Sequence, residues 1–300
     1  MLILDGKVVS EARRAALKTR IQKFQSSVGR PPHLVVVLVG ENAASQVYIR
    51  NKVKACESVG MRSTRIDLPS ALSQEALNAT LLKLNGDDGI DGILVQLPLP
   101  SGLREEPVLE LISSAKDADA FSYRSLGYLW GGYSRTAPCT PQGVMSILEY
   151  YKIPIAGRYA VVVGRSNIVG KPMAHLLTMA NATVTVCHSK TLDLRRFTKE
   201  ADIVVVAAGQ PRFLGREDFK QGSIIIDVGM HGTGTSTGPG TAIIKDPGHV
   251  SAKVFGDVRF EELEGWAFAA TPVPGGVGPM TITTLLENTL SLAEKRLNLK

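Results

Sequence analysis

A chain of 300 residues with 44% hydrophobic and 21% charged residues suits one large or two medium domains and is too apolar to be disordered. No apolar run approaches the roughly 20 residues that cross a bilayer, and the start, MLILDGKVVSEARR, lacks the basic-then-apolar order of a signal peptide. The net charge is +6, but the basic residues are scattered and aromatics make up only 6%, a pattern that speaks against nucleic acid and suits small anionic ligands.

In the first half, the segments LVVVLV (34–39), STRIDL (63–68) and GILVQ (92–96) read as strands. Between and after them, 45–59, with Ser45 as N-cap, 73–85 and 104–114 read as helices, the first two closing near Gly60 and Gly86. The segment GGYSRTAPCTPQ (131–142) separates the halves, and a helix is expected to start near Pro141. The second half gives strands at 159–163, 183–187, 203–207 and 223–228, and helices at 170–180, about 192–200 and 279–297. The Gly/Thr-rich stretch 232–241 reads as a mobile loop or hairpin tip. Short apolar strands alternating with helices indicate an α/β protein with mostly parallel, covered sheets. The expected division is 1–140, joined by the C-terminal helix, and 141–278. Three cysteines, Cys56, Cys139 and Cys187, form no CxxC, so neither a metal site nor a disulfide framework is expected.

The segment YAVVVGRSNIVGKPMAHLL runs from an apolar strand through a Gly-bounded turn into a helix. That order serves a dinucleotide: glycines admit the backbone and a helix N-terminus offers N–H groups to phosphate. The string is not GxGxxG, so context carries the reading of Gly164, Arg165, Ser166, Val169 and Gly170 as cofactor-binding. An NAD site usually has an acid roughly 20 residues beyond the glycines. Here the second strand ends VCHSKT, so His188, Ser189 and Lys190 stand there instead and NADP is favoured. The second domain is accordingly expected to be Rossmann-type and doubly wound.

Tyr48 and Lys52 fall four apart on one helix face. That spacing fits a solvated lysine beside an amphipathic tyrosine as well as a base held over an aromatic platform. Gln96 follows an apolar strand in VQLPLP, where its amide can hold an amine or simply satisfy a strand end.

Four segments, YIRNKVKA (48–55), VQLPLP (95–100), GRSNIVGKP (164–172) and TPVPGGVGPMT (271–281), with KDADAF (116–121) as a weaker fifth, resemble the bifunctional methylenetetrahydrofolate dehydrogenase/methenyltetrahydrofolate cyclohydrolase family. The match runs from Leu4 to about Leu297 and implies the two-activity unit without a ligase domain. The resemblance implies NADP-dependent oxidation of 5,10-methylenetetrahydrofolate, then hydrolysis to 10-formyltetrahydrofolate, in one interdomain cleft of a cytoplasmic homodimer. It makes Lys52 the catalytic lysine, with Tyr48 and Gln96 beside it. Leu97, Asp119, Pro272, Gly275 and Gly276 become folate contacts, and His188, Ser189 and Gly209 join the cofactor residues.

Lysine, ordinarily protonated at neutral pH, becomes a base only when burial or a nearby cation lowers its pKa. Cys139 reads as a packing or hinge residue, since nothing near it in sequence would activate a thiolate. The chain departs from the family's Pro-x-Lys-Asp-Val-Asp-Gly at Ser114, Ala118 and Ala120, and the usual Asn a few residues later is Ser125. Ala120 is the consequential change, because glycine reaches backbone angles that alanine resists.

Overall fold

The computed structural model describes residues 1–134, 136–232 and 254–299. In chain order they form β1 (Leu2–Ile3), α1 (Gly6–Val28), β2 (His33–Val39), α2 (Ala43–Val59), β3 (Arg62–Leu68), α3 (Gln74–Asn85), β4 (Gly92–Val95), α4 (Glu105–Leu111), α5 (Tyr123–Trp130) and α6 (Cys139–Tyr150). There follow β5 (Tyr159–Val163), α7 (Gly170–Met179), β6 (Thr183–Cys187), α8 (Leu194–Thr198), β7 (Ile203–Val206), β8 (Ile224–Asp227), β9 (His231–Gly232), β10 (Val254–Phe255), β11 (Ala269–Ala270) and α9 (Val277–Arg296). Among the described residues no helix is long and apolar enough to cross a membrane.

Two compact units result, Met1–Glu11 with Thr140–Thr281, and Ala12–Cys139 with Ile282–Lys300. The first eleven residues therefore cluster with the later half of the chain, where the sequence division had placed them with residues 12–140. The cause is β1, which pairs in parallel with β11, Leu2 opposite Ala269 and Ile3 opposite Ala270.

In the unit built on residues 12–139, the parallel sheet has the order β3-β2-β4. Every residue of β2 is buried, and alternate side chains enter different cores. Leu34, Val36 and Leu38 pack with Leu17 and Ile21 of α1, Ile49 of α2, and Leu286 and Leu290 of α9. Val35, Val37 and Val39 pack with Leu77, Leu81 and Leu84 of α3. Each such side chain contributes about 1.5–3 kcal/mol on burial, so β2 organises this unit from both faces. Ser73 caps α3, its hydroxyl accepting the Ala76 N–H.

The other unit holds a six-stranded sheet ordered β1-β11-β8-β7-β5-β6, its strands parallel. Ala160 and Val162 of β5 join one core with Met173 and Leu177 of α7, while Val161 and Val163 join the other with Phe219 and Leu263. From β5 the chain first adds β6 on one side and then β7 on the other. The strand order thus reverses at β5, which in open α/β sheets opens a crevice at the carboxyl ends.

Several elements differ from the sequence reading. Helix α2 starts at Ala43, so Ser45 lies inside it and not at its N-cap, and α4 stops at Leu111. Helix α1 escapes a periodicity search because Leu17, Ile21 and Phe24 make only a narrow apolar stripe among charged residues. Helix α5 escapes it because Tyr123, Tyr128 and Trp130 are exposed and the buried side chain is Ser125. Of the Gly/Thr-rich stretch 232–241, Gly232 ends β9 and the rest lies outside the described residues.

Candidate functional site

Polar side chains gather at one place in the unit built on residues 12–139. Helix α2 supplies Tyr48 and Lys52 on one face, and Gln96 follows β4. Lys52 Nζ donates to Gln96 Oε1 at 2.9 Å. The other end of the same amide donates to the Leu97 carbonyl at 2.7 Å, which fixes the oxygen toward the lysine. The Gln96 N–H continues the β-ladder to Val37 O at 2.8 Å, so the residue is anchored at both ends.

Charge is costly here. Burial lowers the Lys52 pKa from its ordinary value, partly opposed by the Asp119 carboxylate. Burial raises Asp119, partly opposed by Lys52. The Tyr48 phenol is pushed up to about 12 by burial, so it stays neutral. The Cys139 thiol, raised well above the ordinary range by burial and by Asp119, stays protonated and is no nucleophile. Cys139 is instead the first residue of α6, with its thiol 3.5 Å from the Ala118 carbonyl.

Asp119 sits in a turn built by its neighbours. The Asp117 carboxylate accepts the N–H groups of Phe121 (3.3 Å) and Ser122 (2.9 Å) and the Ser125 hydroxyl (2.7 Å). Asn288 of α9 donates to the carbonyls of Ala118 and Ala137, both at 2.9 Å. Ala120 has φ 57 and is 1% exposed. The left-handed conformation the sequence flagged is therefore adopted by an alanine, at a cost of about 1 kcal/mol. Neither Asp117 nor Asn288 is singled out from sequence; apart from the Ser125 hydroxyl, these partners are carbonyls and turn amides, which leave no pattern of side-chain spacing.

The other unit gathers a second set at the carboxyl ends of β5, β6 and β7. Gly164 follows β5 with φ 136, and a Cβ there would lie 2.3 Å from the Ala207 carbonyl. A Cβ on Gly170 would lie 2.2 Å from the Gly164 carbonyl. Both glycines are thus required for strand, loop and helix to approach. The Ser166 hydroxyl accepts the N–H groups of Val169 (3.2 Å) and Gly170 (3.3 Å), and its carbonyl accepts that of Lys171 (3.1 Å). Pro172 has no N–H. The expectation of N–H groups offered to phosphate by the first turn of α7 is corrected at these positions, since they already donate within the loop. The helix dipole and the charge of Arg165 still favour an anion at this loop.

Val163 pairs with Cys187, so the loop at Arg165 and the turn at His188, Ser189 and Lys190 follow adjacent strand ends. Cations and hydroxyls without a carboxylate are the donor set a ribose 2′-phosphate requires, and the residues fit NADP. Gly209 follows β7 with φ 66. Pro272, Gly275 and Gly276 form a turn before α9, in which the Gly276 N–H returns to the Pro272 carbonyl at 2.8 Å. A Cβ on Gly276 would lie 2.6 Å from that carbonyl, and one on Gly6 would lie 1.7 Å from the Gly276 carbonyl. These glycines let the turn pack on itself and on the start of α1.

Comparison with known proteins settles the kinship. Residues 4–119 match the tetrahydrofolate dehydrogenase/cyclohydrolase catalytic domain, and residues 138–297 match the tetrahydrofolate dehydrogenase/cyclohydrolase NAD(P)-binding domain. The bifunctional protein FolD of Bdellovibrio bacteriovorus is 58% identical over 99% of this chain and 98% of its own. This chain belongs to the tetrahydrofolate dehydrogenase/cyclohydrolase family. The structure of the bifunctional dehydrogenase/cyclohydrolase FolD from Campylobacter jejuni is 45% identical with a TM-score of 0.90, covering 99% of both chains. The Trypanosoma brucei dehydrogenase-cyclohydrolase, solved with NADP cofactor and an inhibitor, is 36% identical with a TM-score of 0.90, covering 99% of this chain and 98% of its own. In this member of the tetrahydrofolate dehydrogenase/cyclohydrolase family, YIRNKVKA lies on α2, VQLPLP follows β4, GRSNIVGKP joins β5 to α7, and TPVPGGVGPMT leads into α9.

Proposed function

We propose that Lys52 is the proton-transfer residue of a two-step folate enzyme, with Gln96 holding it in place. The chain oxidises 5,10-methylenetetrahydrofolate with NADP and hydrolyses the methenyl product to 10-formyltetrahydrofolate. NADP, when bound, accepts the hydride. The observation that carries the reading is the Lys52–Gln96 pair: an amine 2.9 Å from a fixed amide oxygen, in surroundings that disfavour its charge.

A neutral amine has a lone pair. With one N–H engaged by Gln96, that lone pair can take a proton from water as the water oxygen bonds to the methenyl carbon. Lys52 then returns that proton to N5 as the bond from the carbon to N5 breaks, and the hydroxyl on the carbon loses its remaining proton to solvent as the carbonyl forms, leaving the formyl group on N10. The cationic substrate lowers the lysine's pKa further, which favours the neutral amine when it is needed.

Tyr48 presents a neutral ring to the folate, Asp119 a carboxyl group to the pterin edge, and Leu97, Pro272, Gly275 and Gly276 supply the remaining folate contacts. Gly164, Arg165, Ser166, Val169, Gly170, His188, Ser189 and Gly209 hold NADP. The residues of the 12–139 unit form the folate domain and those of the 140–281 unit the cofactor domain. A cytoplasmic homodimer belongs to the same reading and rests on the family resemblance.

The test follows nicotinamide reduction and methenyl decay separately in wild type and Lys52→Met. NADP reduction by wild type, with methenyl hydrolysis lost in the variant, supports the assignment. Normal hydrolysis by Lys52→Met removes the lysine from the mechanism.

A further inference from the structure

Two buried aspartates interlock beyond β7 and β8, outside every residue assigned above. Asp227 ends β8 and Asp257 follows β10, with 3% and 0% of their surfaces exposed. The Asp227 carboxylate accepts three backbone N–H groups, from Gly229 (2.9 Å), Asp257 (3.0 Å) and Val258 (2.9 Å). Asp257 Oδ2 accepts two, from Ala208 (2.7 Å) and Gly209 (2.8 Å), while its Oδ1 lies 2.7 Å from His231 Nε2. Each carboxylate fills the space beside a glycine next to the other's segment. A Cβ on Gly256 would lie 1.9 Å from Asp227 Oδ2, and one on Gly229 would lie 2.3 Å from Asp257 Oδ1.

Burying two carboxylates side by side is expensive unless their lone pairs are engaged. What they engage is informative. Asp257 grips the two residues that leave β7, and Gly209 is one of the cofactor residues. The preceding Ala207 presents the carbonyl against which Gly164 fits. One side chain therefore sets the β7 turn, and through Ala207 the spacing between that turn and the phosphate loop at β5. Asp227 in turn fixes the backbone of Asp257 itself.

We propose that Asp257, braced by Asp227, is a positioning residue for the nicotinamide cofactor. The inference rests on the dehydrogenase reading above and goes beyond it, to how the cofactor end of the sheet is held in register.

The experiment exploits the two activities, because hydrolysis of supplied methenyltetrahydrofolate needs no NADP. Full-length Asp257→Ala and Asp257→Asn are compared with wild type by calorimetric NADP titration without folate, by the dehydrogenase KM for NADP, and by methenyl hydrolysis. Asparagine keeps an oxygen for the two N–H groups and a nitrogen toward His231; alanine keeps neither. The expected result is NADP affinity weaker by about tenfold or more in Asp257→Ala, largely restored in Asp257→Asn, with hydrolysis within about twofold of wild type in both. Unchanged NADP affinity in Asp257→Ala overturns the proposal. So does a parallel loss of both activities that asparagine does not rescue, which marks a general structural clasp. If Asp257→Ala does not fold, Asp257→Glu decides, since it keeps the charge but displaces the oxygens: weakened NADP binding with hydrolysis retained supports the role, and unchanged binding overturns it. Wild-type protein that binds no NADP at all overturns the dehydrogenase reading itself, an outcome distinct from a wild type and variant that bind alike.

Discussion

The surroundings of Lys52 and the strand ends around Gly164 are built on opposite principles. Around Lys52, side chains from distant segments hold one another: an amine from α2, an amide after β4, a carboxyl group from the turn at Asp119. Around Gly164, backbone meets backbone, and glycines at 164 and 170 clear the space. The first arrangement stores its function in functional groups and tolerates shape change at the margins. The second stores it in the absence of atoms, so one methyl group is a larger insult there than the loss of a polar tip. Deletion of a group and addition of a group should therefore separate the two regions.

Deletion has the largest expected effect at Lys52. Lys52→Met should reduce methenyl hydrolysis by about 10²–10⁴-fold, the usual worth of a positioned acid–base group, while leaving NADP affinity unchanged. In wild type, hydrolysis should rise with pH as the amine loses its proton and level off at a midpoint below the ordinary 10.5, because burial disfavours the charged form. A pH–rate profile run on both proteins checks this. An identical rise in Lys52→Met assigns the titration to another group and breaks the contrast.

Addition should act at Gly164. Gly164→Ala places a methyl group against the Ala207 carbonyl, 2.3 Å away before any relaxation, at a backbone φ of 136 that side chains avoid. The expected cost is about 1–3 kcal/mol of stability, read as a lowered denaturation midpoint, together with weakened NADP binding and retained hydrolysis. If hydrolysis falls as far as NADP binding does, the two regions are not separable in this way.

A third probe asks whether the cofactor half also carries charge under strain. Burial, reinforced by the nearby Asp257, pushes the Asp227 carboxyl from 3.8 up to about 7 against three backbone donors. Between those values the folded state keeps a proton that the unfolded state has released. This group's contribution to stability is therefore full below about pH 4 and is lost as pH rises to about 7, by at most about 4 kcal/mol. Denaturant titrations at several pH values should show that Asp227→Asn removes this slope. A wild-type minus variant difference that is flat from pH 4 to 7 means that the three N–H donors outweigh burial.

How much of this was legible in the sequence follows from where each signal lies. Strands β5 and β6 are read to the residue because the apolar run YAVVV ends at a glycine and the β-branched alternation TVTVC ends at a polar turn. β1 and β11 are two residues each and exist only through pairing across the whole chain. The Lys52 neighbourhood is legible through the family resemblance of YIRNKVKA and VQLPLP, because the four-residue spacing of Tyr48 and Lys52 fits a solvated lysine as well and Gln96 alone fits a satisfied strand end. Asp227 and Asp257 are not, because thirty residues separate them and each bonds mainly to backbone. The local trace they leave is an aspartate beside a glycine in IIIDVG and FGDV, a signal that becomes specific only when β8 and the segment after β10 come together.

Ala120 tests the contrast from within the Lys52 region, since here a methyl group is present where the family pattern has none. Its left-handed backbone is enforced by Asp117, whose carbonyl accepts the Ala120 N–H at 3.2 Å and whose carboxylate anchors the next turn. Ala120→Gly removes the steric cost of the left-handed alanine but gives the unfolded chain more freedom, and the two effects oppose one another at about 1 kcal/mol each. The expected net change in denaturation free energy is therefore within about 1 kcal/mol of zero. Because Asp117 fixes the turn without help from the Ala120 methyl group, Asp119 should keep its place, and the KM for methylenetetrahydrofolate should shift by less than about twofold. A several-fold drop in that KM would mean that the methyl group intrudes on the pterin. In that case the region around Lys52 also stores function in the absence of atoms, and the two halves differ in degree only.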